Sequence, residues 1–257
     1  MQLTADYHTH TTYSHGKGSV LDNAIKAKEL GLKEIAISDH GFGHPAFGLT
    51  RRKLPKIYND CKYATEKTGI NVLLGIESNI LSIDGKVDLT EKDYQYFDSF
   101  SAGLHKFVKY KFSDIFKLFL PNFFTDTFKG KPSKSLIKDT TKAYINVIEK
   151  NPVDIITHLN FCVYSDAVEV AKCARDNGVY IELNAKKVHL TDEELLKVAD
   201  TGVRFVIGSD AHSVSRVGEI SLVENTLKRL DFPMDQIDNI DGRLPDFRFK
   251  KYKEKKL

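Results

Sequence analysis

The chain predicts a single-domain α/β fold in which seven strand–helix units close, or nearly close, into a barrel. Three observations carry this expectation. Short β-branched runs alternate with longer segments of helical period along most of the 257 residues. Several runs are apolar throughout, such as Ile35-Ala36-Ile37 and Phe205-Val206-Ile207, as strands covered on both faces of a parallel sheet are. Histidines and acids end six of the seven runs. A barrel gathers the C-terminal ends of all its strands around one axis, whereas an open sheet gathers only those near its switch point.

Taken in order, strands are expected over residues 3–8, 34–38, 71–77, 97–104, 153–158, 179–183 and 203–208. Helices are expected over residues 19–30, 53–68, 165–177 and 191–201, closing at Gly31, Gly69, Gly178 and Gly202. The last opens on the capping pattern Thr191-Asp192-Glu193-Glu194. Two stretches break the rhythm. Residues 81–93 contain the turn Asp84-Gly85 and read as a small hairpin. Residues 106–134 set eight aromatics among lysines directly after His105. That insertion should lie over the barrel mouth as a helical flap packing its aromatics on the rim. A sharper reading makes it a lid, a substrate contact or a dimer element.

Composition bounds the function. With 41% hydrophobic and 28% charged residues, the chain can bury a sizeable core. A net charge of +3 gives little support to nucleic-acid binding, and the lysines of residues 250–256 read as a solvated tail. The apolar runs fall short of the ~18 residues of a membrane span, so no membrane partner is expected. No signal pattern opens the chain, and Cys61, Cys162 and Cys173 form no CxxC pair, so a cytoplasmic protein with reduced thiols is expected.

The candidate ligands are His8 and His10 in Asp6-Tyr7-His8-Thr9-His10, His15, His40 in Ser38-Asp39-His40, Glu77, His105, His158, and Asp210 and His212 in Asp210-Ala211-His212. Side chains two apart on a strand share a face, so His8 and His10 can present both imidazoles to one metal. A single zinc takes about four ligands, so this set points to several ions and to hydrolytic chemistry. Imidazoles with only two carboxylates favour zinc, manganese or iron over magnesium or calcium. Ions roughly 3.5–4 Å apart would acidify a bridging water and clamp phosphate oxygens. Glu77 is the natural carboxylate to share between them. His44, four residues past His40 in a glycine-bearing loop, is the candidate general acid. Lys106 and Arg216, each near a ligand, are the candidate phosphate contacts, preferred over Arg51, Arg52 and Lys186.

The series from His8-x-His10 through Asp210-x-His212 resembles the PHP (polymerase and histidinol phosphatase) family of metal-dependent phosphoesterases, especially its small stand-alone phosphatases. The likeness runs from residue 6 to about residue 230. It implies a distorted (β/α)7 TIM-like barrel with three divalent ions at the strand ends. By that resemblance His8, His10, Glu77 and Asp210 would hold the first ion, with Glu77 and Asp210 central to catalysis. Glu77, His105 and His158 would hold the second. His15, His40 and His212 would hold the third. Asp39 would be a brace, not a ligand. The implied activity is a phosphomonoesterase acting on a small phosphorylated substrate by metal-bound hydroxide, with zinc the first choice of ion. Alternatives are a histidinol-phosphate phosphatase specifically, a phosphodiesterase or exonuclease, an amidohydrolase-type hydrolase, and a non-catalytic metal-binding module. The amidohydrolase reading would want a bridging lysine, and the exonuclease a basic groove.

Overall fold

The computed structural model describes residues 1–256. Strands β1 (Ala5–Thr9), β2 (Glu34–Ile37), β3 (Asn71–Asn79), β4 (Ser99–Gly103), β5 (Ile155–Ile156), β6 (Tyr180–Asn184) and β7 (Phe205–Gly208) form one sheet in chain order, each parallel to the next. Around them run α1 (Val20–Glu29), α2 (Leu54–Thr68), α3 (Phe112–Asp114), α4 (Leu120–Thr127), α5 (Lys134–Lys150), α6 (Ala167–Asp176), α7 (Asp192–Ala199), α8 (Ser221–Leu230) and α9 (Arg248–Lys256). The expected (β/α)7 barrel is the observed one.

The seam between β7 and β1 closes in two ways. At the C-terminal end the backbone pairs directly, with His10 N–H donating to the Ala211 carbonyl at 2.8 Å. Lower down the strands part, and the side chain of Asn239 fills the gap. Its Nδ2 donates to the carbonyls of Ala5 (2.9 Å) and Ile207 (2.7 Å), and its Oδ1 accepts Ile207 N–H at 2.9 Å. A fully buried amide thus does the pairing of an absent strand, which satisfies the backbone groups that burial would otherwise strand.

Strand β1 carries one extra residue. It pairs Ala5 with Glu34 and Asp6 with Ile35, but then Thr9 with Ile37. This bulge reverses the alternation of faces. Tyr7 packs with Ala36, Ile155, Tyr180 and Val206 in the barrel interior. His8, its neighbour, points inward too, to Glu77 and Glu182. The larger core lies between sheet and helices, where Ile35, Ile37, Leu74 and Ile76 meet Ala24, Ile57 and Cys61.

Local signals set the helix ends. Ser19 caps α1 and Thr191 caps α7, each in a reciprocal capping box, and Gly69 ends α2 in the left-handed conformation at φ 76°. The hairpin after β3 forms, with Leu81 N–H donating to the Lys86 carbonyl at 2.8 Å.

The C-terminal lysines Lys250, Lys251, Lys255 and Lys256 are solvated as expected, but they sit on helix α9. Phe249 is fully buried against Tyr94 and Phe100 beneath the barrel. Arg248 donates to the carbonyls of Val153, Asn177, Ile148 and Asn151. One buried aromatic and one multiply bonded arginine outweigh the solvation of the charges around them.

Candidate metal centre

All nine expected ligands converge at the C-terminal mouth of the barrel. Glu77, near the end of β3, is buried on the axis, and five imidazoles approach its carboxylate. His158 Nε2 lies 2.6 Å from Oε1, His105 Nε2 3.1 Å and His8 Nε2 3.4 Å. His40 Nδ1 lies 2.7 Å from Oε2 and His10 Nε2 3.7 Å. Asp210, past β7, places Oδ1 3.4 Å from His10 Nε2 and 3.3 Å from His212 Nδ1. His15 stands over the rim, stacked on His40 with ring centroids 4.8 Å apart.

The backbone makes room for this crowd. A Cβ on Gly208 would collide with Glu182 and with Cβ of His8, so glycine is required there. His158 and Asp210 hold left-handed φ angles of 31° and 49°. Such conformations cost about 1–3 kcal/mol outside glycine and tend to mark functional positions.

Charges shift in opposed directions. Burial raises the Glu77 carboxyl, but the imidazoles of His105, His8 and His40 outweigh it and hold the group well below the usual carboxylate range. Asp210 is held low in the same way, against its burial, by His8 and His10. Burial lowers His8, yet Glu182, Glu77 and Asp210 raise it well above the ordinary imidazole value. His10 falls well below it through burial and the neighbouring His40. Burial, with His212 and His40 nearby, brings His15 down to about 4.

The donor set fits divalent cations. Glu77 Oε2 and His40 Nδ1 lie 2.7 Å apart with no hydrogen bond between them, and each is buried without a partner. His10 Nδ1 is likewise unpaired. An unpaired buried polar atom costs about 1–3 kcal/mol, and imidazole nitrogens with carboxylate oxygens turned on one space are what zinc, manganese or iron binds. Three triads bring their ligand atoms within 4.8 Å of one another: His8, His10 and Asp210; His10, His40 and His212; and His40, Glu77 and His105. This grouping differs from the expected partition at His40, which turns to the Glu77 carboxylate, and at His15, which stays at the rim.

Comparison with known proteins agrees with the geometry. The PHP domain pattern matches residues 6–186. The chain belongs to the PHP family. A protein of Photobacterium profundum named "probable phosphatase" is 31% identical over 252 residues, covering 92% of this chain and 89% of that protein. Another of that name, from Caldanaerobacter subterraneus, is 30% identical, covering 93% and 88%. In fold, the chain is similar to histidinol phosphate phosphatase from Lactococcus lactis, solved with zinc, L-histidinol and phosphate. The TM-score is 0.62 at 15% identity, covering 95% of this chain and 98% of that one.

Around the candidate ligands, this PHP barrel supplies Glu182, which its sequence did not single out for a role, and Asp39, which it did. Glu182 on β6 accepts from His8 Nδ1 at 2.6 Å and from the His158 backbone N–H at 2.7 Å, so one carboxylate orients two ligands. Asp39 braces the loop that carries His15 by accepting from Thr11 N–H (2.7 Å), Thr11 Oγ1 (2.6 Å) and the Ser14 hydroxyl. The cavity above measures about 480 Å³, and its wall includes Phe47, Phe107, Phe161, Lys187 and His189.

The expected phosphate contacts fare differently. Lys106 reaches the cavity wall, with Nζ 2.7 Å from Asp126. Arg216 does not reach it: the short turn Val214–Arg216 after β7 points that side chain to solvent. Lys186, not preferred in the sequence, takes the place expected of Arg216, lining the cavity with Nζ 3.5 Å from Asp210 Oδ2. His44 also lines the cavity, its ring 5.6 Å from that of His40. Its Nδ1 accepts Phe47 N–H at 3.0 Å, which leaves Nε2 as the N–H. Burial, with His40 and His105 nearby, lowers its pKa, so the neutral ring is the form held at neutral pH.

Proposed function

We propose that the protein is a phosphomonoesterase for a small phosphate ester, working with three divalent ions, zinc first among them. It is a metal-dependent phosphoesterase, a hydrolase of phosphoric ester bonds. The observation that carries this reading is Glu77, a buried carboxylate on the barrel axis within 4 Å of five imidazoles. Its two oxygens serve different histidines, as a carboxylate shared between ions must. His8, His10, Glu77 and Asp210 would hold one ion and Glu77, His105 and His158 a second, while a third would draw on His40 and His212, with His15 closing on it from the rim.

Bound there, divalent ions supply Lewis acidity that acidifies water and neutralises charge on phosphoryl oxygens. The chain's own groups do the rest. Glu182 fixes the His8 ring so that Nε2 faces inward. Lys186 and Lys187 bring positive charge to the cavity for the outer phosphate oxygens, in place of Arg216. His44 Nε2–H is a hydrogen-bond donor for the leaving oxygen, and its lowered pKa suits donation by the neutral ring over proton transfer from imidazolium. Phe47, Phe107 and Phe161 line the approach and thin the water there, which strengthens every charge contact below them.

The test is one panel. Protein reconstituted with zinc, manganese or iron is assayed on p-nitrophenyl phosphate, its bis ester, histidinol phosphate and several nucleotides. Turnover of monoesters well above the diester is the expected result. Silence toward every monoester with all three metals would sink the reading, and elemental analysis finding one ion per chain after reconstitution would overturn the three-ion part alone.

A further inference from the structure

The insertion after β4 sorts its aromatics into two sets. Tyr110, Phe119 and Phe123 pack on one another and on Phe107, with centroids 5.5–6.1 Å apart. Phe107 is itself exposed, at the cavity wall, and Phe112, Phe116, Phe124 and Phe128 face solvent away from it, Phe112 77% and Phe128 75% exposed. Burying a phenylalanine is worth roughly 1.5–3 kcal/mol, so four left bare on one short segment form a patch that needs a partner.

Helix geometry puts these rings in one stripe. Positions four apart on an α-helix drift by roughly 40°, because 3.6 residues make a turn. Over the four such steps from Phe112 to Phe128 the drift would reach roughly 160° and scatter the rings. The segment Ile115–Phe119 is a π turn. One extra residue in a turn takes back roughly 100° and realigns the rings.

Charge selects the partner. Residues 106–134 hold seven lysines against two acids, while the rest of the chain holds more acids than bases. Of the two acids, Asp114 is buried and Asp126 is taken by Lys106 and Lys129. Lys109, Lys117, Lys131 and Lys134 are exposed and make no ion pair among the described residues. A two-fold contact with a second copy would set this basic patch against itself. An anionic bilayer surface complements both the lysines and the phenylalanines.

We propose that this segment docks the protein on membranes containing anionic phospholipid, with Phe112, Phe116, Phe124 and Phe128 entering the interface and the lysines meeting the headgroups. No described helix is long and apolar enough to span a membrane, so the contact is peripheral. The segment leaves the cavity wall at Lys106 and Phe107, and docking therefore brings the cavity mouth close to the headgroup layer. The contact stands independently of the reaction.

Flotation of the full chain with vesicles tests it, using phosphatidylcholine alone and phosphatidylcholine with about one third phosphatidylserine. Binding to the mixed vesicles only, weakened by salt, is expected. The quadruple variant Phe112→Ser, Phe116→Ser, Phe124→Ser, Phe128→Ser should lower partitioning at least about tenfold while monoester turnover in solution stays unchanged. Should it misfold, Lys117→Glu with Lys131→Glu gives the same readout through charge. Absence of vesicle binding, or equal binding to both compositions, overturns the proposal. So does a concentration-dependent dimer, seen by sedimentation, that the same variants abolish.

Discussion

The two ends of this barrel bury polar groups in opposite ways. At the N-terminal end the groups that close the barrel are answered. Asn239 makes three hydrogen bonds to strand backbone, and Asp154 accepts the N–H groups of Phe100 (2.9 Å) and Phe249 (2.8 Å). Arg248 covers four carbonyls. At the C-terminal end the Nδ1 atoms of His10, His40, His105 and His158 and Oε2 of Glu77 are buried and unanswered. Satisfied burial builds the fold, and a cluster of unsatisfied groups turned on one space is what a ligand would answer.

Three experiments press on that contrast, the largest effect first. Asp210→Ala should cut monoester turnover roughly a thousandfold or more, beyond the 10–100-fold typical of residues behind the ligands. Metal content should fall with it, and thermal stability of the metal-free protein should hardly move. Wild-type metal stoichiometry in the variant would remove Asp210 from the centre.

At the other end, burial lifts the Asp154 carboxyl from 3.8 to about 7, against the hydrogen bonds from Phe249 and Phe100. The folded state therefore binds this proton more tightly than the unfolded state. Its contribution to stability is fully present below about pH 4 and is lost as pH rises through about 7, a change of a few kcal/mol. Denaturant titrations should show metal-free protein losing stability from pH 5 to pH 8, and losing less of it in Asp154→Asn. An equal slope in both proteins would clear Asp154.

Smallest is Glu182→Gln, which keeps a bond to His8 and removes the charge behind it. Metal affinity should drop about 10–100-fold, with kcat at saturating metal largely retained. A matching loss of kcat at saturating metal would mean that Glu182 acts on substrate directly.

Much of this was legible in the chain. The seven strands and the convergence of the nine candidate positions follow from local signals, because a residue at the end of an apolar run must emerge at one rim of the sheet. What sequence order conceals is partnership across the barrel. Glu182 sits in a strand like its neighbours, and its role depends on His8, 174 positions away. Asn239 lies in no strand, yet it substitutes for one. Arg216 closely follows His212 and Lys186 is far from every ligand along the chain, yet the turn after β7 takes Arg216 to solvent while Lys186 lines the cavity. Residues 250–256 are largely solvated as a run of lysines suggests, but composition conceals the helix that one phenylalanine, Phe249, anchors.

The seam that Asn239 spans also has a meaning in time. During synthesis His8 and His10 leave the ribosome first, Asp210 and His212 some two hundred residues later, and Asn239 later still. The ligand ring is thus divided between the two ends of the chain, and its halves meet only when the seam between β7 and β1 is drawn shut. Non-local closure of this kind is slow relative to local helix formation. A nascent or truncated chain lacking residue 239 holds most of the imidazoles without the geometry, and loading of the full metal complement becomes a report that folding has finished.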